Sequence, residues 1–218
     1  MRTIPNQSPD PTLSSVTPPA GRRALVSAGH PNVRAHHMSP ALILIDMQRG
    51  MRSASAGQRK NPDAEQNIAS LLAAWRTAHA PIVHVRHISR TPSSSFWPGQ
   101  PGVEFQEELA PLDQEHVVEK NVPDAFVNTG LERWLHSRGI ERLVIVGVST
   151  NYSVESTART AGNLGFKTYV ASDATFAFAK TDYSGYLRNA EEVHSMSLAN
   201  LDGEFATVAK TAELRNAL

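Results

Sequence analysis

The chain has no cysteine anywhere in its 218 residues. Disulfides and thiolate metal sites are thereby excluded, and so is a cysteine nucleophile. It also has no charge excess: 21 Lys and Arg residues balance 21 Asp and Glu residues. A nucleic-acid binder usually carries a basic surplus, and docking on anionic lipid needs one as well. No apolar run approaches the roughly 20 residues of a membrane span, and the N-terminus lacks the secretory pattern. The expectation is a cytoplasmic protein with neither a nucleic-acid nor a membrane partner. Aromatics make up only 6% of the chain, so any that fall outside regular elements are worth placing individually.

What is present suits one α/β domain with some chain to spare. The surplus lies at residues 1–39. Pro5, Pro9, Pro11, Pro18, Pro19 and Pro31 break any regular element there. A flexible N-terminal arm is expected, or an arm that wraps a neighbouring subunit. The folded domain is expected over residues 40–218.

Ala41 to Ile45, ALILI, is short and wholly apolar, as in a strand buried on both faces. Further strands are expected over Pro81–Val85, His116–Glu119, Leu143–Val146, Lys167–Ala171 and Phe205–Val208. Helices are expected over Pro62–Ala78, Thr129–Arg138, Ser153–Leu164 and Ala190–Leu201. Within the first helix, Ile68, Leu71, Leu72 and Trp75 have amphipathic spacing, and Asn61 is a fair N-cap. Strand and helix alternate with long crossovers. The pattern predicts a three-layer αβα fold around a mainly parallel sheet of about six strands.

In open parallel sheets, ligands bind beyond the carboxyl ends of the strands. Three chemistry-bearing features fall at such ends. Asp46 closes the first strand, and Lys120 closes the third. The turn Gly147-Val148-Ser149-Thr150-Asn151 follows the fourth and leads into a helix, with Ser153 facing the corner. Helix N-terminal N–H groups and the helix dipole suit an anion, or an oxygen that becomes negative. Alone, Asp46 reads equally as a turn residue. Together, an acid, a base and a hydroxyl beside a helix N-terminus suit acyl transfer.

The motifs ALILIDMQ, VVEKNVPDAF and GVSTNYSVESTAR, in this order and spacing, resemble the isochorismatase-like cysteine hydrolases over about residues 40–210. The resemblance implies an Asp–Lys–Cys triad at Asp46, Lys120 and Ser153. It implies a cis peptide at Val148–Ser149, which aims the backbone N–H groups of Ser149 and Ser153 at an oxyanion. Serine stands where the family has its cysteine. Three readings stay open. Ser153 is an inactivating substitution in an amidohydrolase; or it supports weaker amidase chemistry; or the chain is an isochorismatase or other vinyl ether hydrolase, which needs no cysteine and uses Asp46 as general acid. A catalytically inactive binding protein is a further alternative. The family also implies a homo-oligomer, dimer or tetramer.

The expected substrate is a small amide, urea or imide. Candidate pocket residues are Gln48, Phe96, Trp97, Asn121, Phe126, Tyr152 and Phe176, with Phe126 and Phe176 equally readable as core. Such a rim favours an uncharged ligand over a polyanion. Some family members hold zinc after the first motif. Here residues 47–60 contain no histidine, and His84 and His87 have no third ligand at metal spacing. No metal or other cofactor is expected.

Overall fold

The structure is a computed structural model that describes residues 39–53 and 57–218. Of the arm expected over residues 1–39, all but residue 39 lies outside the described residues.

Strand β1 (Ala41–Ile45) is buried along its whole length and pairs in parallel on both sides. Its neighbours are β2 (Ile82–His87) and β4 (Arg142–Val148). With β3 (His116–Lys120), β5 (Lys167–Phe176) and β8 (Thr207–Ala209), the sheet order is β3-β2-β1-β4-β5-β8, parallel throughout. Alternate side chains enter opposite layers, as strand geometry requires. Ile43, Ile45, Val83, Val85 and Ile145 meet α2 (Leu131–His136), α3 (Glu155–Asn163) and α4 (Ala190–Leu201) on one face. Leu42, Leu44, Val144 and Val146 meet α1 (Ala64–Thr77) and α5 (Thr211–Leu214) on the other. The three-layer expectation holds.

Several expected boundaries move for local reasons. Strand β5 continues to Phe176 because its register on β4 slips: Val170 pairs with Ile145, but Thr175 pairs with Gly147. The slip absorbs the polar Ser172 and Asp173, which end the apolar run seen in sequence. Asn61 is not the cap of α1. Its amide donates instead to the carbonyls of Ser172 (2.8 Å) and Thr175 (2.7 Å), satisfying the irregular backbone. Phe205 and Ala206 precede β8 because their amides donate to the carbonyl of Leu201 and close α4. A small antiparallel hairpin, β6 (Lys180–Thr181) and β7 (Leu187–Arg188), follows β5 and was not expected. At Gly147, φ is +115° and a Cβ would lie 2.1 Å from the Ile45 carbonyl oxygen. Only glycine lets β4 run this close to β1 there.

The end of the sheet away from these turns is tied by Glu115. Its carboxylate accepts from Arg76 (2.7 and 2.9 Å) and from the Leu112 amide (3.0 Å), and lies 2.8 Å from His84 Nε2. Burial alone would raise the carboxyl pKa. The hydrogen bonds from Arg76, Leu112 and His84 outweigh it and hold the pKa at about 2. A depressed acid stabilises the fold above its unfolded value and loses that contribution as pH falls through its folded value. Glu115→Gln should therefore cost about 1–3 kcal/mol at pH 7. The gap to wild type should narrow as pH falls from about 4.5 towards 2, read by urea unfolding at several pH values.

Candidate active site

Asp46 follows β1 with φ of +52°, a left-handed conformation that turns the chain off the strand. Its amide still donates to the Val85 carbonyl (2.9 Å), so the carboxylate stays at the sheet rim. It is 1% exposed. Lys120 ends β3 two strands away and is 3% exposed. Its side chain shares the face of Val118 and passes beside its register partner His87. Lys120 Nζ donates to Asp46 Oδ2 at 2.7 Å and to Ser153 Oγ at 3.1 Å. The three residues expected at the rim are thus brought together. Asp46 Oδ1 is buried with no hydrogen-bond partner among the described residues.

Ser153 reaches the site from a turn whose cis peptide the resemblance implied and whose helical form it did not. The Val148–Ser149 peptide is cis. The next residues, Thr150–Val154, form a single π-helical turn, and α3 begins only at Glu155. The Ser149 carbonyl accepts from the amides of Tyr152 (3.1 Å) and Val154 (3.2 Å). The turn is anchored by a residue that sequence reasoning missed. Thr150 Oγ1 lies 2.9 Å from Nδ1 of the buried His194, whose Nε2 lies 3.0 Å from the Ser172 carbonyl. A carbonyl only accepts, so Nε2 carries the proton and Nδ1 accepts from Thr150. Burial lowers the His194 pKa and keeps the ring in that neutral form.

Next to Lys120, His87 is half-buried. Burial first, and the Lys120 charge second, lower its pKa against the pull of Asp46. Its ring meets the Phe96 ring edge-on at 6.1 Å.

A cavity of about 430 Å³ opens beside this turn. Gly50, Phe96, Ser149, Tyr152, Phe178 and Lys180 contribute to its walls. Phe96 and Tyr152 stand where the sequence suggested. The other pocket candidates do not. Gln48 is fully buried, and its amide is consumed by the backbone: it donates to the His87 and Val103 carbonyls and accepts from the His87 amide. Phe176 is 0% exposed, beneath the Arg59 guanidinium and against Phe178. Phe126 packs on Phe166 in the α2–α3 layer. Asn121 is exposed and accepts from Arg90. Trp97 is half-buried in its loop and does not line this cavity. Phe178 and Lys180 lie just past the slipped segment of β5, whose length the sequence pattern concealed. Asp173, which follows the expected strand end, accepts from the Thr211 amide and hydroxyl and serves the start of α5. Among the described residues, no group of three or more His, Asp or Glu side chains is arranged to hold a metal ion. None of the described helices is long and apolar enough to cross a membrane.

A parallel three-layer sheet with a buried acid, a lysine and a hydroxyl at its carboxyl rim defines a class of α/β hydrolases. Comparison with known proteins places the chain within that class. The Isochorismatase domain model matches residues 40–213, and the chain belongs to the isochorismatase family of hydrolases. It is 39% identical over 176 residues to the uncharacterized isochorismatase family protein YrdC of Bacillus subtilis (strain 168), covering 81% of this chain and 94% of that one. An isochorismatase-family crystal structure from Chromobacterium violaceum ATCC 12472 superposes with a TM-score of 0.80 at 49% identity, covering 82% of this chain and 93% of that one. Nicotinamidase 3 of Arabidopsis thaliana is 28% identical over 191 residues, covering 82% of this chain and 88% of that one.

The buried pair sets a testable coupling. Lys120→Met leaves the Asp46 carboxylate without its counter-charge and should lower unfolding free energy by about 3–5 kcal/mol. Adding Asp46→Asn should restore part of that loss, so the double variant is more stable than the two single costs imply. Urea unfolding of the three variants measures the coupling, and strictly additive costs would count against it.

Proposed function

We propose that the protein hydrolyses the C–N bond of a small non-peptide amide, urea or imide at Asp46, Lys120 and Ser153. The observation that carries this reading is the position of Lys120 Nζ, 2.7 Å from the carboxylate and 3.1 Å from the hydroxyl in a buried site. Asp46 Oδ1 accepts the Ser153 hydroxyl proton. The Lys120 ammonium offsets the charge that develops on Oγ. Oγ attacks the carbonyl carbon, and the resulting oxyanion faces the backbone N–H groups of Ser149 and Ser153. The C–N bond then breaks, and Asp46 returns the proton to the departing amine. Water, deprotonated by Asp46, cleaves the acyl ester and regenerates the hydroxyl. The resemblance to a nicotinamidase, which acts on an amide, supports this class of bond.

Serine is the weak point of the reaction. A thiol has a pKa near 8.5, which a nearby cation lowers into the working range, whereas a hydroxyl is a far weaker acid. Ser153→Cys should therefore raise ammonia release from a panel of small amides, including nicotinamide and benzamide, by at least about tenfold. Ser153→Ala should release none. A panel that stays silent with the Cys variant removes the amidase reading.

The absence of any cysteine favours a second reading, vinyl ether hydrolysis with Asp46 as general acid. It requires the chain as it stands to release pyruvate from isochorismate, and Asp46→Asn to abolish that release.

A further inference from the structure

Strand β3 lies at an edge of the sheet, so Lys120 has a strand neighbour on one side alone. The chain then leaves the sheet through Asn121-Val122-Pro123-Asp124. Something besides the ladder must hold this exit, because Lys120 Nζ stays within bonding reach of two side chains at once. The sequence after the nucleophile turn supplies it. Ser153, Thr157 and Thr160 are spaced i, i+4 and i+7, which puts them on one face of the helical run that continues into α3. All three meet the same stretch of chain, residues 120–125. Ser153 Oγ accepts from Lys120 Nζ at 3.1 Å. Thr157 Oγ1 accepts from the Ala125 amide at 3.0 Å. Thr160 Oγ1 donates to Asp124 Oδ2, and Asp124 Oδ1 accepts from the Phe126 amide at 2.8 Å. Thr157 is fully buried and Asp124 is 8% exposed. Among the described residues Asp124 has no cationic partner. A buried carboxylate without a counter-charge is costly, and hydrogen bonds alone hold this one. Neither an ion pair nor the reaction above uses it.

We propose that Asp124 is a positioning residue for the triad: with Thr157 and Thr160 it clamps the exit from β3 onto α3, and so fixes the reach between Lys120 and the atom at position 153. This inference rests on the reading of position 153 as the nucleophile. Without the clamp, the end of an edge strand can draw away from α3. The ammonium then no longer offsets charge that develops at position 153.

A thiol at position 153 reports that reach on the full chain, with no substrate present. In Ser153→Cys, the pH midpoint of iodoacetamide alkylation should lie well below the ordinary thiol value of about 8.5, because Lys120 favours the thiolate. Adding Thr160→Val or Asp124→Ala should raise that midpoint by about one unit, a tenfold change in acid dissociation, in chains that circular dichroism shows to be folded. Thr160→Val alters no charge, so its shift reports position. Asp124→Ala removes a negative charge, which by itself would lower the midpoint, so a rise has the sign of lost positioning. Asp46, Lys120 and the neighbouring His87 are the same in every variant. Thr160→Ser and Asp124→Asn, which keep a hydrogen bond across the clamp, should retain most of the parent value. A parent midpoint near 8.5, a folded Thr160→Val chain with the parent midpoint, or a Thr160→Ser chain with a raised one would each overturn the proposal. A clamp that only stabilised the fold would move the melting temperature and leave the midpoint in place. A silent amide panel removes the hydrolase reading and leaves these midpoints untouched, so the two can fail separately.

Discussion

The structure depends on one buried ammonium. Lys120 and Asp46 sit on strands that are not neighbours, since β2 lies between β3 and β1. Adjacent strands are about 4.8 Å apart, so the two backbones are about 10 Å apart at the rim. A long cationic side chain is needed to span that gap. Neither charge is tolerable alone at 1% and 3% exposure, because a buried ion without its partner costs several kcal/mol. The strand order, the lysine's length and the direction of the Asp46 turn are therefore coupled. A change in any one of them leaves a charge stranded.

The second constraint is the turn that carries Ser153. It is held from behind rather than from the cavity. Thr150 is bonded to His194 on α4, and His194 in turn is bonded to the slipped segment of β5. Asn61, just ahead of α1, satisfies the same segment from the opposite layer. The register slip in β5 thus serves two ends. It accommodates a polar stretch that cannot join the ladder, and it supplies the carbonyl that fixes the imidazole tautomer. Gly147 permits the close strand approach that starts the turn. Helices on both faces of the sheet contribute to the placement of one hydroxyl.

Strong, local physical signals made much of this legible in the sequence. ALILI has no reading but a buried strand, and a charge at the end of such a strand must have a partner or a function. Asp46 and Lys120 followed from that argument, and the parallel sheet followed from alternation and crossover length. The errors arise where one residue type serves two physical ends. A glutamine near an active site binds either ligand or backbone, and Gln48 is taken up by the backbone of His87 and Val103. Phenylalanine lines cores and pockets alike, and Phe126 and Phe176 are core. Asn61 is an apt cap by composition, yet its amide serves carbonyls more than a hundred residues away in sequence. Lys180 and Phe178 were hidden because β5 runs five residues past its apolar stretch. No periodicity marks such a slip.

The bridging lysine also bears on the two chemistries proposed above. Acid catalysis on a vinyl ether requires Asp46 to begin with a proton. Lys120 would then be buried beside a neutral carboxyl group and a neutral hydroxyl, with no counter-charge until the proton had left. In acyl transfer, the Asp46 carboxylate balances Lys120 at the outset. When the proton moves from Oγ to the carboxylate, the negative charge passes to an atom that already accepts a hydrogen bond from the same ammonium, 3.1 Å away. In the proton transfer that opens the reaction, the counter-ion is exchanged without the lysine being left alone. That continuity is available to a thiolate or an alkoxide alike. It differs for the two only in how readily the proton leaves, which places the burden of the reaction on the atom at position 153 and not on the frame that holds it.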